Sequence, residues 1–189
     1  INYDHNPLPA LKSLDKNDRV IYLSSLSKTL SPGLRMGYMV GPVELIRELR
    51  ALRRLMLRHP ASNNQRSVAL FLARGYHDTL VRNIVHVYRE RCRLVKEALD
   101  TYLPDSAQPP TYGGSSYWVK GPAYLDSRLL KDLAADAGIL IEPGDIHFLS
   151  DEPPLNFFRL GFSAIVENKI EEGIKKLADI IHSMAPKKT

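Results

Sequence analysis

The stretch that decides the fold is residues 24–37, Ser24-Ser25-Leu26-Ser27-Lys28-Thr29-Leu30-Ser31-Pro32-Gly33-Leu34-Arg35-Met36-Gly37. It lies between two short segments, residues 20–23 and 38–40, whose β-branched and aromatic side chains favour strands. Residues 31–34 carry proline at i+1 and glycine at i+2, the pattern of a type II turn. A turn there reverses the chain and predicts that Arg35 returns to the level of Lys28.

The side chains of this stretch suit a phosphorylated aldehyde. A lysine amine, here Lys28, condenses with an aldehyde to a Schiff base when burial or nearby cations favour its neutral form. Serine hydroxyls and an arginine fork hold a phosphate. Pyridoxal phosphate needs both a lysine for its aldehyde and donors for its phosphate, at a separation of about one small ring. A serine-serine-lysine loop alone would indicate solvated surface, but the ordered string from strand to Arg35-x-Gly37 favours a cofactor site.

Ser25-x-x-Lys28 followed by Arg35-x-Gly37 resembles the lysine segment of fold-type I, class I/II aminotransferases. The string SLSKTLSPGLRMGY is close to the form found in MocR-type regulators, which are GntR-family transcription factors with an aminotransferase-like domain behind a winged helix-turn-helix. The resemblance implies that Lys28 is the Schiff-base lysine. It also implies that Ser25 and Arg35 bind the phosphate of pyridoxal 5'-phosphate, with assistance from Ser27.

A second arginine of interest, Arg159, lies inside the apolar segment FFRLGFS, residues 157–163. An arginine in an apolar strand is costly without an anionic partner, so the residues alone favour a structural salt bridge to an acidic side chain. The motif R-L-x-F-S matches the substrate arginine of the resembled family. That match implies that Arg159 binds the carboxylate of an amino acid or amino-acid-like ligand.

The segment ILIEPGDIHF, residues 139–148, resembles the small-domain turn of MocR-type chains. Glu142 and His147 within it are candidates for an acid/base pair. In aminotransferase chemistry, however, Lys28 itself shuttles the proton, and an isolated histidine near a turn is usually structural or solvated. The six histidines and the single cysteine show no paired metal-ligand spacing, so we expect no metal.

Composition and charge exclude several classes of protein. No apolar run approaches the roughly 20 residues needed to span a membrane. The one cysteine, Cys92, excludes an intrachain disulfide and fits a reducing compartment, here the cytoplasm. Its place in an apolar helical stripe predicts a packing residue and not a nucleophile. The net charge of +5 permits anionic partners, but no nucleic-acid motif accompanies it, so we expect DNA contact only through an upstream domain outside this chain.

Hydrophobic spacing predicts several helices. A helix over residues 42–57 has an apolar stripe that we expect to be buried, and its arginines form another, solvated face. The residues of this stripe are Leu45, Leu49, Leu52 and Met56. The longest helix is predicted from residue 78 or 79 to about residue 103.

We therefore expect an α/β fold, the C-terminal part of the PLP-dependent transferase fold. Residues 1–103 would hold the end of the large domain's sheet and the long linking helix, and residues 104–189 an α+β small domain. The first residues have the pattern of the middle of a loop, which predicts that further residues precede them in the intact protein. In the resembled family that upstream part supplies the aspartate for the pyridine nitrogen and the aromatic side chain that stacks on the ring.

The resemblance implies two possible functions for the intact protein. The first is the effector-sensing domain of a MocR/GntR-type regulator. The alternative is a free-standing class I/II aminotransferase that transfers an amino group between an amino acid and a 2-oxo acid. Transaminase chemistry is expected in the intact protein, and both classes usually act as homodimers. A winged helix-turn-helix upstream of this chain would distinguish them.

Overall fold

The computed structural model describes residues 2–3, 8–108 and 113–186, which form two compact units. The first unit covers residues 8–84, and the second covers the remaining described residues. In the sequence the two units meet at Ile84 and Val85, within the long helix. The domain division between residues 103 and 104 stays a prediction. It lies at the end of that helix, whereas the two units divide within the helix.

The first unit is a hairpin followed by helices. Its strands are antiparallel and pair from Tyr22 opposite Val40 to Ser25 opposite Gly37. Both strands and the second helix confirm the order expected from the sequence. The elements are α1 (Leu11–Leu14), β1 (Tyr22–Ser25), β2 (Gly37–Val40), α2 (Val43–Leu57), α3 (Ser62–Ala73) and the first part of α4 (Tyr76–Tyr102).

The reversal between β1 and β2 is not the predicted type II turn. A type II turn requires a positive φ at Gly33, but the positive φ in this loop belongs to Arg35, with φ 49° and ψ 44°. Pro32–Leu34 instead form one 3₁₀ turn, in which the Arg35 N–H donates to the Pro32 carbonyl at 3.3 Å. A left-handed residue commonly ends such a helical turn. The predicted return of the chain is confirmed, and the predicted turn type is wrong.

The described part of the first unit buries very little apolar surface. Val68 is its one buried hydrophobic side chain, at 5% exposure. The predicted stripe of α2 is half-buried at its start, but Leu52 and Met56 are exposed. The expectation of a buried stripe therefore fails within the described residues, which cover only the first part of that face. The arginine face of α2 is solvated as predicted, with Arg47 paired to Glu44.

The second unit joins a four-stranded antiparallel sheet to helices. The strand order is β3-β4-β6-β5. The elements are the rest of α4, β3 (Ala107–Gln108), β4 (Ser116–Lys120), α5 (Ser127–Asp136), β5 (Glu142–Pro143), β6 (Phe157–Gly161) and α6 (Ile170–Ser183). Asp126 caps α5 by accepting a hydrogen bond from the Arg128 N–H at 2.9 Å. This mixture of helices and short strands matches the predicted α+β arrangement.

One face of this sheet enters the hydrophobic core and the other faces outward. Tyr117 and Val119 of β4 and Phe158 of β6 are buried in a core that also contains Leu99 of α4 and Leu177 of α6. Because side chains alternate along a strand, the neighbouring residues of β4 and β6 lie on the outer face. Those outer residues include Ser116, Trp118 and Arg159.

Cys92 packs against this core and is half-buried. Its Sγ lies 3.2 Å from the Tyr117 hydroxyl, which donates to the Cys92 carbonyl at 3.0 Å. Burial raises the pKa of Tyr117 well above its ordinary value. These contacts support the interpretation of Cys92 as a packing residue.

Within the described part of the chain, no helix combines the length and the apolar character required to cross a membrane.

Candidate functional site

The end of β1 and the loop between β1 and β2 carry the predicted cofactor residues, with Ser25 as the last residue of the strand. Beyond the last strand pair, the Leu26 N–H donates to the Met36 carbonyl at 2.9 Å. The Leu30 N–H then donates to the Leu26 carbonyl at 2.8 Å, which closes one helical turn with Lys28 at its centre. Arg35 directly precedes Met36. The hairpin therefore places the predicted lysine and arginine in one closed loop.

The two serines of the site are linked by a backbone contact. The Ser25 hydroxyl oxygen accepts a hydrogen bond from the Ser27 N–H at 3.2 Å, a short turn that serine side chains commonly form. Because a hydroxyl has one proton to donate and two acceptor positions, this bond leaves the Ser25 O–H proton available. Ser25 is exposed and Ser27 is half-buried.

Arg35 and Lys28 are the cations of the loop, and both are exposed. Among the residues that the structure describes, neither side chain has a hydrogen bond or an ion pair. Arg35 holds a left-handed backbone, which costs a residue with a side chain roughly 1–2 kcal/mol. An amine, a guanidinium and a hydroxyl on one loop match the aldehyde and the phosphate of pyridoxal phosphate, so the donor set fits that cofactor.

Two features beside this loop were not singled out from the sequence. The Asn64 side-chain amide, from the first turn of α3, donates to the Leu34 carbonyl at 3.4 Å. Leu30 and Leu34 also line a cavity of about 240 Å³ together with Val68 and Phe71. The apolar spacing of Leu30 and Leu34 was the available signal that these side chains line an apolar cavity. No sequence signal marks Asn64 as a contact of the loop.

Arg159 belongs to the second unit and already has partners there. It stands opposite Glu142 in the β5–β6 pair and opposite Trp118 in the β4–β6 pair. Its Nε donates to the Ser116 hydroxyl at 3.0 Å, and its guanidinium forms an ion pair with the Glu142 carboxylate. The structural salt bridge to an acidic side chain, which the residues alone favoured, is therefore present. Carboxylate binding by Arg159 stays a prediction.

Glu142 and His147 contact different residues. The Glu142 carboxylate is held by Arg159, and the His147 ring lies edge-on against Trp118 with ring centroids 5.5 Å apart. On the following turn, Arg128 donates to Asp145 at 2.9 Å and holds the pKa of that carboxyl below its ordinary value. The described residues contain no cluster of three or more His, Cys, Asp or Glu side chains suited to a metal.

Comparison with known proteins gives the family. The family model described as Aminotransferase class I and II matches residues 3–177. A curated relative, the HTH-type transcriptional regulator TauR of Rhodobacter capsulatus, is 41% identical over 170 residues, which are 90% of this chain and 35% of the regulator. The regulator-type likeness of the lysine segment therefore extends over most of the chain.

Solved structures share the fold. Pyrococcus horikoshii kynurenine aminotransferase, in complex with PMP, kynurenine and its product, superposes with a TM-score of 0.86 at 32% identity over 98% of this chain and 46% of that one. LysN of Thermus thermophilus, an α-aminoadipate aminotransferase complexed with N-(5'-phosphopyridoxyl)-L-leucine, gives 0.86 at 29% identity over 97% and 48%.

The chain thus spans between about a third and a half of the length of these relatives. The agreement with the solved structures confirms the predicted fold class, the PLP-dependent transferase fold of type I. The chain belongs to the aminotransferase class I and II family, whose cofactor, pyridoxal 5'-phosphate, is the one predicted from the sequence.

Proposed function

We propose that the intact protein holds pyridoxal 5'-phosphate on the β1–β2 loop and uses it to sense an amino acid or amino-acid-like ligand, as the effector-sensing domain of a MocR/GntR-type regulator. Lys28 is the residue that forms the Schiff base. The observation that carries this proposal is the closed loop itself, which gathers Ser25, Ser27, Lys28 and Arg35 between two paired strands.

Each residue of the loop has a distinct role in the proposal. The Arg35 guanidinium and the Ser25 O–H donate to the phosphate oxygens, which are strong acceptors of charge-assisted hydrogen bonds. Ser27 fixes the Ser25 hydroxyl through its backbone N–H and assists at the phosphate. The Lys28 amine would hold the cofactor through its aldehyde, with release of water, and the free amine can take up and return a proton. When bound, pyridoxal phosphate supplies the electron sink that stabilises negative charge beside the ligand's nitrogen.

Arg159 is the proposed partner of the ligand's carboxylate. A planar guanidinium grips a carboxylate with two parallel hydrogen bonds. Arg159 is 42% exposed on the outer face of its sheet, so ligands in solution can reach it. The solved relatives named above are aminotransferases of kynurenine and of α-aminoadipate, and we extend that class of ligand to this chain.

The similarity to TauR supports the regulator. In this proposal DNA contact comes from a winged helix-turn-helix upstream of the chain, and the protein is a cytoplasmic homodimer. The solved aminotransferases, at 29–32% identity, support the alternative of a free-standing enzyme that exchanges amino groups between an amino acid and a 2-oxo acid. The gene sequence upstream distinguishes the two. A basic winged-helix region of roughly 50 residues or more supports the regulator, and its absence supports the enzyme.

The cofactor proposal is tested by absorbance of the full-length protein mixed with pyridoxal phosphate. Wild type is expected to develop a visible band that shifts on addition of amino acids. Lys28→Ala should lose that band, whereas Lys16→Ala, an exposed lysine before β1, should keep it. A wild type without the band overturns cofactor binding, and a band retained in Lys28→Ala overturns the role of Lys28. Analysis of keto-acid products then separates sensor from enzyme.

A further inference from the structure

The proposed ligand arginine is occupied by a carboxylate of its own chain. Glu142 lies directly opposite Arg159 in the β5–β6 pair, and its carboxylate forms an ion pair with the Arg159 guanidinium. The Arg159 Nε is used separately, as donor to the Ser116 hydroxyl at 3.0 Å. Glu142 therefore engages a terminal nitrogen of the guanidinium, Nη1, which a bound carboxylate would also need.

This ion pair is open to exchange. Both side chains are 42% exposed, so water and small anions have access to the pair. An ion pair at this exposure is weak because solvent screens it and because two long side chains must be held in one geometry. Glu142 also sits in the two-residue strand β5, at the edge of the sheet. Its carboxylate can thus leave Arg159 for solvent without breaking a buried contact.

Two cations near the pair have contacts of their own. Trp118 stacks on Phe157 with ring centroids 5.8 Å apart, and Lys120 lies over the Phe157 ring. Arg128 of α5, which lines a cavity together with Glu142 and Lys131, is engaged by Asp145 at 2.7 Å. A carboxylate displaced from Arg159 keeps its negative charge close to any anion that replaces it.

We propose that Glu142 is an internal competitor for the carboxylate site on Arg159 and sets how tightly a ligand's carboxylate binds. This inference rests on the proposed role of Arg159. A ligand carboxylate must take the place of Glu142 and then bind beside its charge. Two unit charges about 5 Å apart repel measurably even in water, so Glu142 lowers affinity for carboxylates and leaves affinity for neutral ligand groups unchanged.

The opposite role for Glu142 makes the opposite prediction. If Glu142 only orients the Arg159 side chain, its removal leaves the guanidinium less well placed and weakens carboxylate binding. If Glu142 competes, its removal strengthens that binding. Glu142→Gln separates the two, because glutamine keeps the shape and a hydrogen-bond acceptor but removes the charge.

The test is the NMR signal of the Arg159 Nε–H in the full-length protein, assigned by its loss in Arg159→Lys, during titration with acetate at constant ionic strength. Glu142→Gln is expected to bind acetate roughly fivefold more tightly than wild type, the effect of removing one screened charge about 5 Å away. Raising the salt concentration should shrink that ratio, because a charge effect is screened and a packing effect is not. Acetamide should show no such difference.

Glu97→Gln is the matched control. It makes the same substitution at a carboxylate of α4 that pairs with Arg93 at 2.6 Å, and it should leave the acetate affinity of Arg159 unchanged. An acetate affinity that is equal or weaker in Glu142→Gln, while wild type binds acetate at Arg159, overturns the competitor role alone. If acetate changes the Arg159 signal in none of the variants, carboxylate binding by Arg159 is overturned, and the competitor role is overturned with it. Neither result depends on pyridoxal phosphate.

Discussion

Gly37 lies so close to the backbone of Ser24 that a β-carbon at position 37 would stand 2.6 Å from the Ser24 carbonyl oxygen. The contact joins the end of β1 to the start of β2, directly below the loop that holds Lys28. A backbone carbonyl cannot rotate away as a flexible side chain can. The glycine of the Arg35-x-Gly37 motif is therefore required by the close approach of two strands.

Gly37→Ala should destabilise the hairpin. The added methyl group forces the two strands apart, and overpacking of this kind costs about 2 kcal/mol. We expect that loss in the free energy of unfolding, measured by urea denaturation, together with weaker binding of pyridoxal phosphate. Gly33→Ala in the same loop is the control, since its β-carbon would meet nothing closer than the Ser31 hydroxyl at 3.8 Å. A change in stability as large for Gly33→Ala as for Gly37→Ala would show that the contact with Ser24 is not the cause.

Arg35→Gly should separate the backbone role of this residue from its side-chain role. Glycine adopts the left-handed backbone of position 35 without strain, which offsets its greater freedom in the unfolded chain, so stability should stay within about 1 kcal/mol of wild type. Loss of the guanidinium removes a charge-assisted hydrogen bond to the phosphate. The affinity for pyridoxal phosphate should fall roughly ten- to hundredfold in a fluorescence titration.

The control for Arg35→Gly is Arg58→Gly. Arg58 also has a positive φ, 56°, at the end of α2 in the same unit. It is not in the β1–β2 loop, so Arg58→Gly should leave the affinity for pyridoxal phosphate unchanged. Equal affinity in Arg35→Gly and wild type would remove Arg35 from the phosphate site.

Local patterns in the sequence predicted most of the elements. The helical spacing from Val81 to Tyr102 predicted the long helix that the structure has over Tyr76–Tyr102. The apolar run around Val20 and Leu23 and the Pro-Gly pair predicted the hairpin and the return of Arg35. In each case the cause lies within a few residues of the effect, which is why a single sequence was enough.

What the sequence did not give depends on contacts between distant residues. Proline followed by glycine is compatible with a type II turn and with a 3₁₀ turn, and the pairing of Ser25 with Gly37 decides which one fits. The partner of Arg159 is a residue 17 positions away that only the β5–β6 register brings opposite. The exposure of Met56 depends on what covers the second half of α2, and the described residues leave Met56 71% exposed.

Asp15 should give the protein an acid-sensitive contribution to stability. Its carboxylate is 4% exposed, pairs with Lys12 at 2.9 Å and accepts backbone hydrogen bonds from Asn17, Arg19 and Val20. These donors hold the pKa of Asp15 well below its ordinary value of 3.8. A lowered pKa in the folded state means that the stabilisation is complete above the unfolded pKa and is lost as pH falls below it.

The urea midpoint of wild type should therefore exceed that of Asp15→Asn at pH 6, and the difference should shrink as pH falls below about 4. Asp100→Asn is the control, because among the described residues Asp100 pairs with Lys96 alone, and that pair is exposed. Its midpoint should follow that of wild type across the same range. A difference between wild type and Asp15→Asn that stays constant from pH 6 to pH 3 would show that the Asp15 carboxylate is not the acid-sensitive group.

The two units of the chain should differ in hydrogen exchange. Amides are protected by buried contacts that must open before exchange. The core of the second unit is extensive and includes Ile174, Leu177 and Ile181 of α6, whereas α2 has no buried residue. In the 189-residue chain we expect amides of α2 to exchange at least about 100-fold faster than those of α6, measured by mass spectrometry after proteolysis.

Leu177→Ala tests the cause of that difference. Leu177 is fully buried, and its truncation should cost about 2–5 kcal/mol and accelerate exchange in α6. Exchange in α2 should stay as fast as before, because Leu177 belongs to the core of the other unit. Leu55→Ala, at an exposed position of α2, should alter neither helix. Protection of α2 equal to that of α6 in the unmodified chain would mean that its apolar face is covered, and a second copy of the chain, detected by sedimentation, would then be the first partner to look for.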